Sequence, residues 1–366
     1  MIQEASPAEV ERRDALAGRL FEAALGAFDL LTIHLGLDLG LYESLRRDGP
    51  ATAGELESRA GIDGRYAREW LEQQAVTGIL DVDDVAASEA ARRYSLPEGH
   101  AEALLDAESP AASQSMLRFI VSGGRMLPSL GEAYRTGAGL AWDAYPGIVK
   151  AQELANRPLF KHVLTTEWLP AIEDVHARLG SPGGAHVADV ACGTGYSSIA
   201  IARAYPNAIV EGIDIDPESI ERARANAREA GLSEDRIRFH LVDAARPDLE
   251  GRFDLALIVE AVHDMSDPVA VLGSVRRLLA PGGTCIVADE GVAETFTAPG
   301  DEIERAMYGY SVLFCLPNTR ADGGSVATGT VIRPETMQRY ALDAGFSKVD
   351  VLPIPNDVFR LYRLDP

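Results

Sequence analysis

The chain has 366 residues, 46% of them hydrophobic, enough to bury a sizeable core and to form two domains, which excludes an intrinsically disordered protein. Its 34 Lys+Arg against 56 Asp+Glu leave a formal net charge of -22, a surface that repels phosphate backbones and anionic lipid, so neither nucleic acid nor membrane is an expected partner. The three cysteines, Cys192, Cys285 and Cys315, are widely spaced and in no CxxC arrangement, which predicts free thiols, no disulfide framework and no zinc site.

The opening stretch, MIQEASPAEVERRD, lacks the basic and apolar regions of a secretion signal. The most apolar early segment, AFDLLTIHLGLDLGLY, is cut by Asp29, His34 and Asp38 short of the roughly 18 uncharged residues that a membrane span needs. A cytoplasmic location is therefore expected. Residues 8–48 show helical periodicity, with Leu16, Leu20, Phe21, Leu25, Phe28 and Leu31 on one broad face that is predicted to be buried. After Gly49-Pro50, Thr52 and Glu55 form a capping box that opens a short helix, and DGRYAREWLEQQAVTGIL supplies a second one closing at Gly78. DVDDVAASEAARRYSLP then reads as a turn-rich hairpin, so residues 1–108 follow a winged-helix order. Residues 1–110 carry 10 Arg, no Lys and 22 Asp+Glu, and the second helix sets Arg65 and Arg68 against Asp63, Glu69 and Glu72. With no positive surplus to meet phosphate, the module is expected to pair with a second copy of the chain as a homodimer rather than to read DNA.

Residues 109–180 are mostly helical, punctuated by SGG, TGAG and YPG, and form a linker and candidate ligand cover. Within them LANRPLFKHVLTTEWLPAIEDVHARL is amphipathic and carries Phe160 and Trp168, aromatics that burial alone explains more often than ligand contact does. From residue 181 onward strands and helices alternate: HVADVAC, SSIAIARAYP, AIVEGIDI, PESIERARANAREAG, IRFHLVDA, FDLALIVEAV, DPVAVLGSVRRLLAPGG and TCIVADEG. This predicts an α/β, doubly wound, mostly parallel sheet of seven strands with its site at the carboxyl ends of the strands. The tail FSKVDVLPIPNDVFRLYRLD, two strands about a Pro-Asn-Asp turn, would finish the sheet as an antiparallel hairpin.

The segment VADVACGTGYSS, Val187 to Ser198, turns a strand into a helix through Ala191, Gly193 and Gly195, so a ligand can approach bare backbone and the free N–H groups of the helix start. A dinucleotide fingerprint would place a third glycine where Ser198 stands, so the match is incomplete. Asp189 precedes the loop, Asp214 ends the next strand and Asp243 the one after. A carboxylate on the second strand suits ribose hydroxyls, one near the loop suits an ammonium better than a pyrophosphate, and one on the third strand can accept from an exocyclic amine. An adenosine ligand with a cationic amino-acid tail satisfies all three.

VADVACGTG, EGIDIDP, LVDA and LLAPGGTCIVAD, in this order over about residues 186–290, resemble the successive motifs of class I S-adenosylmethionine-dependent methyltransferases. The resemblance implies S-adenosylmethionine (SAM) as cofactor, S-adenosylhomocysteine as its product and no metal. It implies that Asp189 lies near the methionine end, that Gly193 and Gly195 shape the floor beside Ala191, where many members have glycine, that Asp214 holds the ribose and that Asp243 faces the adenine. Ile215, Ala244 and Glu260 complete the implied cofactor set, whereas Asp216, just before Pro217, reads as a helix cap. VHDMSD is similar to the LHDWSD stretch of plant-type small-molecule O-methyltransferases, in which a winged-helix dimerisation domain precedes the catalytic one. That likeness implies His263 as general base and Asp289 as its orienting acid, with Glu290 the nearby alternative and Met265 in place of the family's tryptophan. An unperturbed histidine pKa of about 6.5 suits proton abstraction from a phenol or similar acceptor near neutral pH.

In related enzymes the insertion at Gly291–Arg333 caps the acceptor pocket. Here Ile303, Met307, Tyr310 and Phe314 form one helical stripe followed by the glycine-containing NTRADGGSVATGTVIR, which suggests an apolar or aromatic small-molecule acceptor, with core or dimer packing as the equal alternative. The competing class is a non-catalytic regulator that senses SAM and passes the signal to a winged helix on DNA. A nicotinamide-dependent dehydrogenase is a distant third.

Overall fold

In the computed structural model residues 6–247, 252–321, 323 and 326–366 are described, and the chain divides into two compact units, Met1–Val121 and Ser122–Pro366. In the first unit Ser6 and Glu9 form a capping box that starts α1 (Pro7–Asp38), and Gly40, at φ +67°, turns the chain into α2 (Leu41–Asp48). The Thr52–Glu55 capping box is complete, Thr52 N–H donating to Glu55 Oε2 at 2.8 Å and Glu55 N–H to Thr52 Oγ1 at 3.3 Å, and it opens α3 (Ala53–Ala60). Asp63 caps α4 (Gly64–Val76), Gly78 closes it at φ +77°, and β1 (Asp81–Val82) pairs antiparallel with β2 (Tyr94–Ser95) as a small wing before α5 (Glu98–Leu105). Leu41, Tyr42, Leu56, Leu71 and Tyr94 are almost fully buried at its centre. The Trp70 ring stands only 2.4 Å from where a Cβ on Gly36 would lie, so glycine there lets α1 and α4 pack closely.

One expectation fails here. Leu16, Leu20, Phe21, Leu25, Phe28 and Leu31 are all exposed, between 43% and 63%. At 100° per residue they cover about half of the α1 circumference, opposite Ile33 and Leu37, which do pack into the unit. The helix is amphipathic, but nothing in its own unit covers the larger apolar face. By length and composition α1 is also apolar enough to cross a membrane, with an 18-residue window of mean hydropathy 1.5, because Glu22 and Asp29 interrupt the run without offsetting it. In this unit Arg65 pairs with Glu69, Arg68 with Glu89, Arg92 with Glu72 and Arg93 with Glu55.

The second unit begins within α6 (Gln114–Thr136), which runs unbroken through the SGG sequence because the helix supplies backbone partners that outweigh the local cost of two glycines. Next come α7 (Ile148–Leu159), a wider π-type stretch over Phe160–Trp168, α8 (Leu169–Ala171) and α9 (Glu173–Leu179). The alternating region then lays down β3 (His186–Val190), α10 (Tyr196–Ala204), β4 (Ile209–Asp214), α11 (Pro217–Glu229), β5 (Ile237–Leu241), β6 (Phe253–Val259), α12 (Pro268–Leu278) and β7 (Leu279–Glu290). The insertion folds as α13 (Glu302–Tyr310), a π-type turn Ser311–Cys315 and α14 (Leu316–Thr319); after it come α15 (Pro334–Asp343), which the sequence reading did not anticipate, β8 (Lys348–Val351) and β9 (Phe359–Asp365).

The sheet order is β5-β4-β3-β6-β7-β9-β8, with the first five strands parallel and β9 antiparallel to both of its neighbours. Both faces are covered. Val187, Leu255, Leu257 and Val259 join one core with α10 and α11, while Ala188, Ala256 and Ile258 join a second with α12 and α15, the period-two alternation of strands buried on both sides. The chain leaves β3 toward β4 and β5, then returns to place β6 on the other side of β3. A crevice opens at that switch point.

Candidate functional site

The loop after β3 is built by backbone geometry. Ala191, Gly193 and Gly195 all have left-handed φ values, +58°, +52° and +82°. The Gly193 N–H donates to Asp214 Oδ2 at 2.8 Å and the Asp216 N–H to Asp214 Oδ1 at 2.9 Å, so the carboxylate that ends β4 also ties down the loop beside it. A Cβ on Gly193 would meet nothing within 4 Å, whereas one on Gly195 would stand 2.7 Å from Phe239 and 2.9 Å from Ala223. Gly193 therefore keeps a surface open, and Gly195 permits close packing underneath.

Asp189, Asp214 and Asp243 line a single cavity of about 590 Å³ at the carboxyl ends of β3, β4 and β5, with Ala191 and Gly193 on its wall. Ile215, Ala244 and Glu260 line it as well. Gly195 does not, and its contribution is the packing just described. Asp189 accepts hydrogen bonds from the Ser197 and Ser198 hydroxyls, and its burial pushes its carboxyl up to about 6 against those bonds. Burial likewise raises Asp214. Asp216 caps α11 by accepting from the Ser219 N–H at 2.7 Å, and one oxygen of Asp243 closes its own turn through the Ala245 N–H at 2.8 Å.

At the end of β6 the chain turns through Glu260, whose φ of +55° is strained for a residue with a side chain. Its N–H remains on Ala288 O at 2.8 Å, Gln152 donates to its Oε2 at 3.0 Å, and burial pushes its carboxyl up to about 7. Three residues on, His263 Nδ1 lies 2.6 Å from Asp289 Oδ1 and the His263 N–H donates to Asp289 Oδ2 at 3.3 Å. The histidine is 2% exposed and the aspartate 0%. Burial alone would lower the histidine pKa, but the Asp289 and Asp264 carboxylates outweigh it and hold the imidazole well above its ordinary 6.5. Neither His263 nor Asp289 is part of the cavity wall; Asp264 and Met265 are. The histidine expected at the rim thus stands one layer behind it. Glu290, beside Asp289, is buried with its Oε2 unpartnered, and burial drives its carboxyl upward.

The cover of the cavity comes from the helical run before β3, which contributes Trp142, Gln152, Asn156 and Phe160, with Asn318 from α14 meeting it through a 3.0 Å bond from the Trp142 N–H. Phe160 is thus part of the roof, while Trp168 packs in the core, edge-on to Phe359 at 5.6 Å. Gln152, Asn156 and Asn318 escaped the sequence reading because isolated amides form no motif; the amphipathic pattern of α7 was their only signal. The stripe Ile303, Met307, Tyr310 and Phe314 does not line the cavity. Phe314 instead packs on Tyr145 at 5.2 Å and fills the space over Gly123, and Met307 is buried, so the alternative of core packing applies and the argument for an aromatic acceptor from this stripe falls away. Gly324, in the glycine-containing loop that follows, lies outside the described residues.

A doubly wound sheet closed by a reversed terminal hairpin, with a ligand crevice at its switch point, is the methyltransferase fold, here following a winged-helix unit. Comparison with known proteins agrees: residues 182–314 match the family described as "Methyltransferase domain" and residues 27–105 the one described as "Rv2258c-like winged HTH domain". Among curated proteins it is 31% identical over 171 residues to a ubiquinone biosynthesis O-methyltransferase of Psychrobacter arcticus, a match covering 46% of this chain and 62% of that one. The chain therefore spans under two thirds of that relative's length. Among solved structures it shares its fold with mitomycin 7-O-methyltransferase (TM-score 0.67, 23% identity, 97% of this chain and 99% of that one) and with human N-acetylserotonin methyltransferase, solved in complex with SAM (TM-score 0.70, 17% identity, 100% and 99%).

Proposed function

We propose that this chain transfers the methyl group of SAM to an oxygen of a small-molecule acceptor, a phenol or similar acid, with His263 as general base, Asp289 as its orienting acid and S-adenosylhomocysteine as the second product. The observation that carries the reading is the convergence of Asp189, Asp214, Asp243 and Glu260 on one cavity beside a backbone kept bare at Gly193. Four carboxylates repel a pyrophosphate and attract an ammonium and a sulfonium. Asp189 and Glu260, raised to about 6 and about 7 by burial, become fully ionised once a cation faces them. In this reading Asp214 takes the ribose and Asp243, with Ile215 at 69% exposure, the adenine, as their sharing of one cavity supports.

Bound in this cavity, the sulfonium supplies an electrophilic methyl group and a neutral thioether leaving group. The protein's own share is alignment and proton removal. Gln152, Asn156 and Phe160 line the same cavity, where a bound acceptor and these side chains together would displace water from the reacting centre. Holding the acceptor oxygen in line can supply roughly 7–11 kcal/mol, and a general base about 10²–10⁴-fold, some 3–5 kcal/mol. The chemistry calls for no metal. The O-methyltransferase names of the curated relative and of the first structural neighbour support oxygen as the methylated atom.

The chain acts as a homodimer through the exposed face of α1, in a reducing, cytoplasmic setting that the three unpaired, buried thiols support. A second copy suits that face better than DNA or anionic lipid, because a chain of net charge -22 repels phosphate backbones and anionic headgroups. Incubation with methyl-radiolabelled SAM and a metabolite extract tests the activity. Label should appear in a small molecule, and label confined to SAM after prolonged incubation would refute the reading.

A further inference from the structure

The imidazole of His263 is closed off from the cavity on both sides. Its Nδ1 is taken by Asp289, and its Nε2, the only atom left to receive a proton, faces the Asp264 carboxylate, with Oδ2 at 3.6 Å, and the Cys315 thiol, which hydrogen-bonds to the ring from the insertion. Asp264 is the one member of this group on the cavity wall. Its side chain is 26% exposed, with Oδ1 buried and without a hydrogen-bond partner. An acceptor hydroxyl seated in the cavity therefore meets the Asp264 side chain before it meets the buried imidazole.

We infer that Asp264 is a catalytic residue that stands between acceptor and histidine, taking the hydroxyl proton and handing it to His263 Nε2. The inference rests on the methyl-transfer reading. The acceptor O–H bond breaks with its proton passing to the Asp264 carboxylate, the oxygen forms its bond to the methyl carbon, and the S–CH₃ bond breaks with its electron pair staying on sulphur. The carboxyl proton then moves to Nε2, restoring the Asp264 carboxylate and leaving an imidazolium held by Asp289, which returns its proton to solvent before the next turnover. Burial raises Asp264 above the usual carboxylate range, which makes it a stronger base than a solvated aspartate, and His263 partly offsets this. The groups that face the pair are Asp289 and Glu290 from β7, Glu260 from the end of β6 and Cys315 from the insertion. All are acidic or neutral, so removing the Asp264 charge withdraws part of what holds the proton on His263.

Two measurements on the full-length protein test this. In the first, needing no acceptor, NMR follows the labelled His263 ring against pH in wild type and Asp264→Asn. The His263 pKa should fall by about one unit or more in the variant; an unchanged titration overturns the coupling whether or not any acceptor is known. In the second, methyl transfer from labelled SAM into the extract is followed across pH. Asp264→Asn should lose about 10²–10⁴-fold in rate, shift its basic limb to lower pH and bind SAM as wild type does by calorimetry, while Asp264→Glu should recover at least a tenth of the rate. If Asp264→Asn turns over as fast as wild type while His263→Asn does not, the histidine takes the proton directly and the inference fails. Absence of transfer in wild type refutes the methyl-transfer reading instead, and leaves the NMR result to decide the coupling. Should Asp264→Asn fail to fold, Asp264→Ser takes its place in both measurements, with the same outcomes supporting and overturning the inference.

Discussion

At His263 two opposing influences set the proton affinity: removal from water disfavours the imidazolium, and the carboxylates of Asp289 and Asp264 favour it more. Because the folded pKa lies above 6.5, the basic form grows only as pH climbs through that raised value, so turnover should increase on the alkaline side of neutrality. A pH–rate profile that is flat from about pH 6 to pH 9 would contradict this. His263→Ala should lose about 10²–10⁴-fold in turnover and keep its SAM affinity, read by kinetics and calorimetry side by side. The two loop glycines separate in the same way. Gly195→Ala combines a φ of +82° with contacts under 3 Å to Phe239 and Ala223, and should lower unfolding stability by roughly 1–3 kcal/mol from overpacking beyond the backbone strain. Gly193→Ala carries the strain alone, at φ +52°, so urea unfolding should rank it well above Gly195→Ala. His263 itself was legible because its motif lies in a short stretch; its retreat behind Asp264 was not, because the depth of a side chain depends on what the insertion places above it.

At the scale of elements, α1 shows how far a periodicity can be read. The spacing of Leu16, Leu20, Phe21, Leu25, Phe28 and Leu31 identifies an amphipathic helix, and the helix is there, but periodicity carries no information on whether its apolar face is covered by the same chain or by another. Phe21→Glu combined with Phe28→Glu should leave a monomer in size-exclusion light scattering while SAM binding persists. Four phenylalanines across a two-fold interface are worth roughly 6–12 kcal/mol of burial, enough to decide a micromolar dimer. A dimer that survives the change would place the interface elsewhere. The helix α6 teaches the reverse lesson, since local glycine cost predicted a break that tertiary packing overrode. The stripe from Ile303 to Phe314 was helical as read, across α13 and the π-type turn after it, and took its core-packing alternative, since Phe314 turned to Tyr145 rather than to the cavity.

For the whole molecule, the strand order and the acid at the end of each of three strands create one strongly negative crevice in a chain of net charge -22. SAM at a hundredfold over its dissociation constant should stabilise the protein by about 2.7 kcal/mol, visible as a raised unfolding midpoint. NAD at the same concentration should leave the midpoint unchanged, and a shift with NAD alone would restore the dinucleotide reading.

By itself the sequence determined the order of the elements, the bare loop after β3 and the three acids that end successive strands, because each is written in a few neighbouring residues whose conformations are local. Only the tertiary structure decided which of them share a cavity, that Gln152 and Asn156 line it, that Asp264 rather than His263 lies on its wall and that the face of α1 is left uncovered by its own unit. These depend on contacts between residues far apart in the chain, and burial, unlike spacing, belongs to the packed whole.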